Sequence, residues 1–259
     1  MESDRAKDML LELYKPLNAQ IIVTDINSAE LIKHASNSFL AMKISFINAL
    51  AQICEHAGAD VVKVSEGIGL DKRIGGQFLN AGLGYGGSCL PKDVEAFINI
   101  SDKLGYNFEL LKAVRKINEQ QRLWFLKKIK DALWIIKDKT IGVLGLSFKP
   151  NTDDIRSAPS IDIIKTLQEE GAQIKVYDPV ANKKAAAILS NVKFAKDVYA
   201  LAKGCDCLLV LTEWEEFKKI SLFELKKVLK RPLVIDGRNI FEAKKLKGMG
   251  FEYISIGRP

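Results

Sequence analysis

The chain has 259 residues, of which 47% are hydrophobic and 27% are charged, and its formal net charge at pH 7 is +7. This composition excludes a disordered or fibrous protein and suits one large globular domain or two of ordinary size. No apolar run approaches the roughly 18 residues of a membrane span, and the first residues lack the apolar core of a signal peptide. We therefore predict a cytoplasmic protein that does not associate with membranes.

Neither the positive charge nor the cysteines indicate a nucleic-acid partner or a metal site. The lysines of "LKKVLKR" (225–231) and "EAKKLKG" (242–248) recur at helical spacing among apolar residues, which is typical of a solvated helix face. We therefore predict no nucleic-acid partner. The four cysteines, Cys54, Cys89, Cys205 and Cys207, show neither zinc-site spacing nor the density of a disulfide scaffold, and no metal site is predicted.

The first half of the chain has a helical pattern. From Asn27 the pattern runs for about 40 residues, with Asn27 as the predicted cap and Glu30 completing a capping box. Apolar residues recur at steps of three or four: Leu31, Ala35, Phe39, Met42, Phe46, Leu50 and Ile53. Because so long a helix suits a spine or an interface, we predict a homodimer through it. Further helices are predicted at 90–104 and 107–137, with Trp124 and Trp134 in the core.

The glycine-rich stretch "GLGYGGSCLPKD" (82–93) lies between the predicted helices and surrounds Cys89. Glycine costs ~1 kcal/mol relative to alanine in a helix interior, so clustered glycines indicate a loop. Two interpretations are open. The stretch is a surface turn, or its backbone must approach a ligand closely while the thiol stays accessible.

The second half alternates strands with helices. Predicted strands are 140–146, 173–178, 192–195, 207–212, 232–237 and 252–256, and predicted helices are 160–170, 181–189, 221–230 and 242–247. This alternation predicts a parallel, doubly wound, Rossmann-like sheet with ligands at the carboxyl ends of its strands. Asp178 ends the second strand where a ribose-binding acid would lie, but Gly142 and Gly145 alone do not make a G-x-G-x-x-G fingerprint. The predicted fold class is thus α/β, a helical domain followed by a Rossmann-like domain for a nucleotide other than NAD.

Four stretches together resemble the UDP-glucose/GDP-mannose dehydrogenase family. They are "AELIKHASNSFLAMKISFINAL", "DKRIGGQFLNAGLGYGGSCLPKD", "GLSFKPNTDDIRSAPS" and "DGRN", in the family's order, and they resemble its UDP-glucose branch most. The resemblance implies three segments: the end of an N-terminal NAD-binding domain (1–26), a helical central domain with the cysteine loop (27–137) and a UDP-sugar-binding domain (138–259). It also implies that most of the NAD-binding domain lies outside this sequence.

The resemblance implies catalytic roles for four residues. Cys89 matches the family's nucleophile, which forms a thiohemiacetal and then a thioester with the sugar C6. Lys33 and Asn37 match residues that stabilise the oxyanion. Asp93 matches an aspartate that positions or deprotonates the hydrolytic water. Without the resemblance, Lys33 and Asn37 would be interpreted as a solvated helix face and Asp93 as a helix cap.

The resemblance also implies binding residues. Those for the UDP-sugar are Phe78, Leu79, Gly82, Gly84, Tyr85, Gly86, Phe148, Lys149 and Arg238, together with Arg73, which family dimers donate to the neighbouring subunit. Arg156 corresponds to a residue that reaches the NAD pyrophosphate, as suits an arginine at a phosphate.

The implied function is the NAD-dependent, two-step oxidation of the C6 alcohol of UDP-glucose to a carboxylate. The alternatives are oxidation of a UDP-N-acetylhexosamine and a non-catalytic nucleotide-sugar binding or assembly module. Because hydride transfer needs a nicotinamide site, the 259-residue chain alone is not expected to reduce NAD⁺.

Overall fold

The computed structural model describes residues 3–259 and confirms the predicted α/β fold, with helices first and a parallel sheet second. The first two residues of the predicted segment 1–26 lie outside the described residues. In the rest of that segment, helix α1 (Asp4–Tyr14) and a 3₁₀ turn (Lys15–Leu17) precede an extended stretch up to Asp25. No side chain of α1 is buried.

Four helices build the central part of the chain. They are α2 (Ile26–Ala57), α3 (Val61–Gly69), α4 (Leu90–Lys103) and α5 (Glu109–Leu133). Helix α2 packs against both α4 and α5, and the apolar contacts among them include Ala41, Val94 and Val114. The loop that contains Cys89 lies between α3 and α4, and Asn48 of α2 contacts it by accepting from the Gly82 N–H.

Two details of the long helix were predicted wrongly. The N-cap is Asp25, whose side chain accepts a hydrogen bond from the Ser28 N–H at 2.8 Å, so Asn27 and Glu30 do not form a capping box. The helix is 32 residues long rather than about 40, because it ends at Gly58. Gly58 adopts a φ of 70°, in the left-handed region that closes many helices.

The end of α5 also differs from the prediction. The helix stops at Leu133, and Trp134 follows it with a φ of 62° and a side chain that is 91% exposed. Trp134 is therefore not a core residue. Trp124, by contrast, is partly buried and packs against the main core, as predicted.

A six-stranded, fully parallel sheet forms the second half, in the order β3-β2-β1-β4-β5-β6. The strands are β1 (Thr140–Leu144), β2 (Gln173–Tyr177), β3 (Val192–Phe194), β4 (Cys207–Val210), β5 (Leu233–Asp236) and β6 (Glu252–Ser255). The helices are α6 (Pro159–Glu169), α7 (Asn182–Ala186), α8 (Val198–Ala202), α9 (Glu215–Lys218), α10 (Leu222–Val228) and α11 (Ala243–Gly248). Helix α7 is shorter than the predicted 181–189. This strand order is that of the Rossmann fold, whose order reverses between β1 and β4.

The helical part and the sheet share one apolar core. The largest cluster of buried side chains contains Ile47 of α2, Phe125 of α5 and Ile164 of α6. Near the C-terminus, the Gly257 carbonyl accepts from the Val61 N–H, and the Gly257 N–H donates to Glu55, both at 2.8 Å. These hydrogen bonds connect the C-terminal end of the chain to α2 and α3. Within residues 3–259, no helix is both long and apolar enough to cross a membrane.

Candidate functional site

Three predicted catalytic residues meet at one buried carboxylate. Asp93, in the first turn of α4, is 3% exposed. Its Oδ2 accepts from Lys33 Nζ at 2.8 Å and from Asn37 Nδ2 at 2.5 Å, and its Oδ1 accepts from Lys92 Nζ at 2.5 Å. The hydrogen bonds from Lys33, Lys92 and Asn37 outweigh the effect of burial and hold the pKa of Asp93 well below its usual range. Asp93 is therefore a carboxylate at any physiological pH.

Cys89 lies one helical turn before this carboxylate. It is the N-cap residue of α4, and its carbonyl accepts from the Asp93 N–H at 2.9 Å. Its side chain is exposed, and the Ser88 hydroxyl lies 3.7 Å from its sulfur. The structure thus brings together the four residues predicted to be catalytic: Cys89, Asp93, Lys33 and Asn37.

The other three cysteines are buried. Burial raises the pKa of the Cys205 thiol to about 11 and raises the pKa values of Cys54 and Cys207. Thiols with raised pKa values and no solvent contact react slowly. Cys89 is therefore the one accessible cysteine of the chain.

The glycines of the loop allow close packing between the two halves of the protein. A Cβ at Gly86 would lie 2.3 Å from the Ser157 carbonyl oxygen. Gly87 has a φ of +83°, and a Cβ there would lie 2.7 Å from the Phe148 ring. These positions exclude a side chain even before a ligand is considered, which answers in part why this stretch is rich in glycine.

Buried amide side chains hold the same loop from the helical side. Asn48 Oδ1 accepts from the Gly82 N–H at 2.8 Å, and Gln121 Nε2 donates to the Gly82 carbonyl at 2.7 Å. Asn118 makes both kinds of contact with the Tyr85 backbone, at 2.8 Å and 3.1 Å. These three amides were not predicted from the sequence, because their partners are distant in sequence. Nothing in the local pattern of an amphipathic helix indicates that an amide side chain will bind a loop.

An open cavity of about 430 Å³ lies between this loop and the carboxyl edge of the sheet. Eight of the predicted substrate-binding residues line this cavity: Phe78, Gly82, Gly84, Tyr85, Gly86, Phe148, Lys149 and Arg238. It is also lined by residues that the sequence analysis did not single out: Ile44, Asn48, Gln77, Asn80, Leu90 and Glu213. Leu90, the residue that follows Cys89, is the part of the lining that lies nearest to the thiol in the sequence.

The charges of the cavity come from the loops that follow the strands. Lys149 follows β1, and Arg238 follows β5. Arg238 Nε donates to the Leu211 carbonyl at 2.8 Å and lies 3.2 Å from Glu213 Oε2, which fixes the direction of the guanidinium. The two cations at the carboxyl edge suit a phosphate-bearing ligand.

Three predicted binding residues do not line this cavity. The Leu79 side chain is 1% exposed and belongs to the core. Arg73 is exposed and pairs with Asp71, and Arg156 is exposed and pairs with Asp154. The hydrogen bond from Arg156 lowers the pKa of Asp154 to about 2.

Asp178 lies where a ribose-binding acid would lie in this sheet, but its carboxylate binds other groups of the protein. Asp178 is fully buried, and its Oδ2 accepts from the Leu146 N–H at 2.8 Å and from Trp214 Nε1 at 3.2 Å. Its Oδ1 accepts from the Ala181 N–H at 2.8 Å. With its carboxylate oxygens bound by the protein, Asp178 cannot bind a ribose. The described residues therefore do not fit NAD at this sheet, in agreement with the missing glycine fingerprint.

No group of three or more His, Cys, Asp or Glu side chains that could hold a metal ion occurs among residues 3–259. A Rossmann-ordered sheet with a cationic cavity at its carboxyl edge, joined to a helical part that presents an accessible thiol, defines an α/β protein with a Rossmann-like fold. Models of the UDP-glucose/GDP-mannose dehydrogenase family match the chain twice, the central domain at residues 27–120 and the UDP binding domain at residues 142–243. The chain belongs to this family.

Individual relatives agree with this assignment. The chain is 50% identical over 258 residues to the UDP-glucose 6-dehydrogenase TuaD of Bacillus subtilis, covering 99% of this chain and 56% of the relative. A UDP-glucose dehydrogenase from Pyrobaculum islandicum superposes with a TM-score of 0.88 at 36% identity, over 98% of this chain and 56% of that one. A UDP-D-ManNAc dehydrogenase from Pyrococcus horikoshii superposes with a TM-score of 0.85 at 26% identity, over 99% of this chain and 58% of that one. The chain thus spans little more than half the length of these relatives.

Proposed function

We propose that this chain binds UDP-glucose and supplies the thiol chemistry for the NAD-dependent oxidation of the sugar C6 alcohol to a carboxylate. One observation carries the proposal: Leu90, which follows the accessible Cys89 and begins the helix of Asp93, lines a cavity that also contains Lys149 and Arg238. A ligand with a diphosphate and a sugar matches this arrangement, because the cations bind the phosphates and the sugar extends towards the thiol.

Cys89 is the proposed nucleophile. After the alcohol has been oxidised to an aldehyde, the sulfur forms a bond to C6, and the carbonyl oxygen becomes an oxyanion that takes up a proton. To become a thioester, this adduct would lose a hydride from C6 to the acceptor that a bound NAD⁺ would supply, and its hydroxyl proton to solvent. Water then adds to the thioester carbonyl, the C–S bond breaks, and the carboxylate and the free thiol are released.

Lys33 and Asn37 are placed to stabilise negative charge on the C6 oxygen. Both donate to Asp93 in the structure, so their positions are fixed before any substrate is bound. Preorganised donors of this kind lower the energy of an oxyanion without rearranging during the reaction. The substrate oxygen would share the remaining N–H groups of these two side chains.

Asp93 suits a positioning role better than that of a general base. The strongly lowered pKa of its carboxyl makes it a weak proton acceptor at neutral pH. We therefore propose that Asp93 aligns Lys33 and Asn37 and orients the hydrolytic water without taking its proton.

NAD⁺ supplies the hydride acceptor in both oxidation steps. The described residues form no cradle for it at the sheet, and Arg156 is the only residue that we propose to contact it. Arg156 lies in the loop between β1 and α6, where it is exposed and pairs with Asp154. The rest of the cofactor site is proposed to come from elsewhere, as in relatives about twice as long.

A homodimer is proposed through the apolar stripe of α2, which we define as Ile32, Phe39, Phe46 and Ile53. These residues recur every seven positions, and each side chain is more than half exposed. An apolar heptad stripe on a 32-residue helix matches a second copy of itself. Arg73, outside the cavity of its own chain, would then reach the partner's ligand.

Isothermal titration calorimetry tests the proposed ligand. The chain is expected to bind UDP-glucose and UDP, and Lys149→Ala is expected to weaken both by about tenfold or more, because a charge-assisted hydrogen bond is lost. Lys193→Ala, on β3 and outside the cavity, is the matched control and should bind as the wild type does. Failure of the wild type to bind either ligand at millimolar concentration would contradict the proposal. Tighter binding of UDP-N-acetylglucosamine than of UDP-glucose would favour the hexosamine alternative.

A further inference from the structure

One buried side chain in the cavity wall has a hydrogen-bond donor that no described residue uses. Asn48 of α2 is 0% exposed and lines the cavity. Its Oδ1 accepts from the Gly82 N–H at 2.8 Å, and its Nδ2 has no partner. Because the Gly82 N–H requires an oxygen, this contact fixes the orientation of the amide. The free group is therefore the NH₂ donor.

The second amide that holds the loop shows that this free donor is not required to hold the backbone. Asn118 also accepts from a loop N–H at 2.8 Å, but its Nδ2 is satisfied by the Tyr85 carbonyl. The Gly82 carbonyl, next to Asn48, is already bound by Gln121. A buried donor without a partner costs about 1–3 kcal/mol, and a ligand oxygen in the cavity removes this cost.

Helix α2 indicates which part of a ligand this donor meets. Asn37 and Asn48 are 11 residues apart, which is three helical turns, so they lie on the same face about 16 Å apart along the axis. Asn37 lies beside Asp93 and Cys89, where the proposed function places the reacting carbon. Asn48 lies towards the other end, beyond the sugar.

We propose that Asn48 Nδ2 donates a hydrogen bond to an oxygen of the nucleoside half of the ligand and so contributes to nucleotide recognition. This inference rests on the proposed function, since it assumes a nucleoside diphosphate sugar whose C6 lies at Cys89. Asn48 then has two roles. Its oxygen positions the loop, and its nitrogen binds the nucleoside.

The test separates these two roles. Asn48→Asp keeps an oxygen for the Gly82 N–H and replaces the free donor by an acceptor. At pH 8 this variant is expected to bind UMP, UDP and UDP-glucose about tenfold more weakly than the wild type, with the same factor for all three. The control is Ser45→Ala, which removes a buried hydroxyl on the same helix that donates to the Val114 carbonyl at 2.9 Å. It should lower the melting temperature and leave all three affinities within about twofold.

A second measurement applies even if Asn48→Asp does not fold. In ¹⁵N-labelled wild-type protein, UMP should shift the Asn48 side-chain amide resonance and slow the exchange of its protons, while the Asn118 amide changes little. Unchanged UMP affinity in a folded Asn48→Asp protein, a loss confined to UDP-glucose, or an unshifted Asn48 amide would each overturn the inference. A wild-type chain that binds none of the three ligands would instead overturn the proposed function, and the inference with it.

Discussion

At the residue scale, the site is organised around one carboxylate. Asp93 receives three hydrogen bonds from Lys33, Asn37 and Lys92, and it lies in the first turn of α4, whose N-cap is Cys89. The two lysines are mostly exposed, so each ion pair is screened and contributes less than a buried pair would. We therefore propose that the carboxylate mainly holds the Lys33 and Asn37 side chains in a fixed orientation.

The first prediction concerns the pH dependence of this carboxylate. Its folded pKa lies below the unfolded value of about 3.9, so its contribution to stability is complete above about pH 4 and is lost as the pH falls towards the folded pKa. Asp93→Asn should therefore lower the free energy of unfolding by about 1–2 kcal/mol at pH 7, and by progressively less below pH 4. Urea unfolding of both proteins between pH 7 and pH 2.5 measures this difference. A difference that grows on acidification would contradict the assignment.

At the element scale, the glycine loop and α2 each serve two neighbours. The loop packs against the sheet domain through Gly86 and Gly87 and against the helices through buried amides. One face of α2 carries Lys33, Asn37 and Asn48 to the site, and the opposite face carries the apolar stripe. One helix thus connects the site to the proposed dimer interface.

The second prediction separates backbone strain from close packing in the loop. Gly87→Ala places a Cβ at a φ of +83° and 2.7 Å from Phe148. The matched control is Gly75→Ala, at a φ of +66° with nothing within 4 Å of the new Cβ. We expect the control to cost about 1 kcal/mol and Gly87→Ala about 1–3 kcal/mol more, by thermal or urea unfolding. Equal costs would show that contact with Phe148 is unimportant.

The third prediction concerns the stripe of α2. The chain should behave in light scattering as a dimer, about twice its mass of 28.8 kDa. Phe46→Glu should give a folded monomer, because the charge lies in the centre of the interface. Leu123→Glu, at an apolar α5 residue that is 66% exposed and outside the stripe, is the control and should remain a dimer. A monomeric wild type, or two variants with equal mass, would contradict the interface.

The sequence was informative where a signal is local. The alternation of strands and helices was sufficient to predict the parallel sheet. The four motifs were sufficient to predict that Lys33, Asn37, Cys89 and Asp93 belong to one site. Asp25 and Asn27 are both good N-caps, so sequence alone could not choose between them. Trp134 continues the apolar pattern of the sequence, so it was predicted to be helical and buried. The helix α5 itself ends one residue earlier, at Leu133. Asn48 and Glu213 join the cavity through contacts with residues far away in sequence, and no spacing rule identifies such contacts.

At the scale of the whole molecule, the cavity depends on both halves of the chain. Its walls come from the loop that precedes α4 and from segments after β1, β4 and β5, and these meet because helices and sheet share one core. The proposed ligand would therefore contact both halves. Binding of a nucleotide sugar should stabilise the chain as a unit, since the ligand binds only when both halves are folded.

The fourth prediction is the most direct test of the central claim, that a nucleotide sugar in this cavity places its C6 at Cys89. Labelling by iodoacetamide, mapped by mass spectrometry, should modify Cys89 rapidly and the buried Cys54, Cys205 and Cys207 slowly while the protein is folded. UDP-glucose should slow the labelling of Cys89 severalfold, and UDP should slow it less, because UDP fills the nucleotide end and leaves the sulfur open. Lys149→Ala should weaken the protection without changing the rate for the free protein. Equal labelling of all four cysteines, or a Cys89 rate that does not respond to saturating UDP-glucose, would contradict the account.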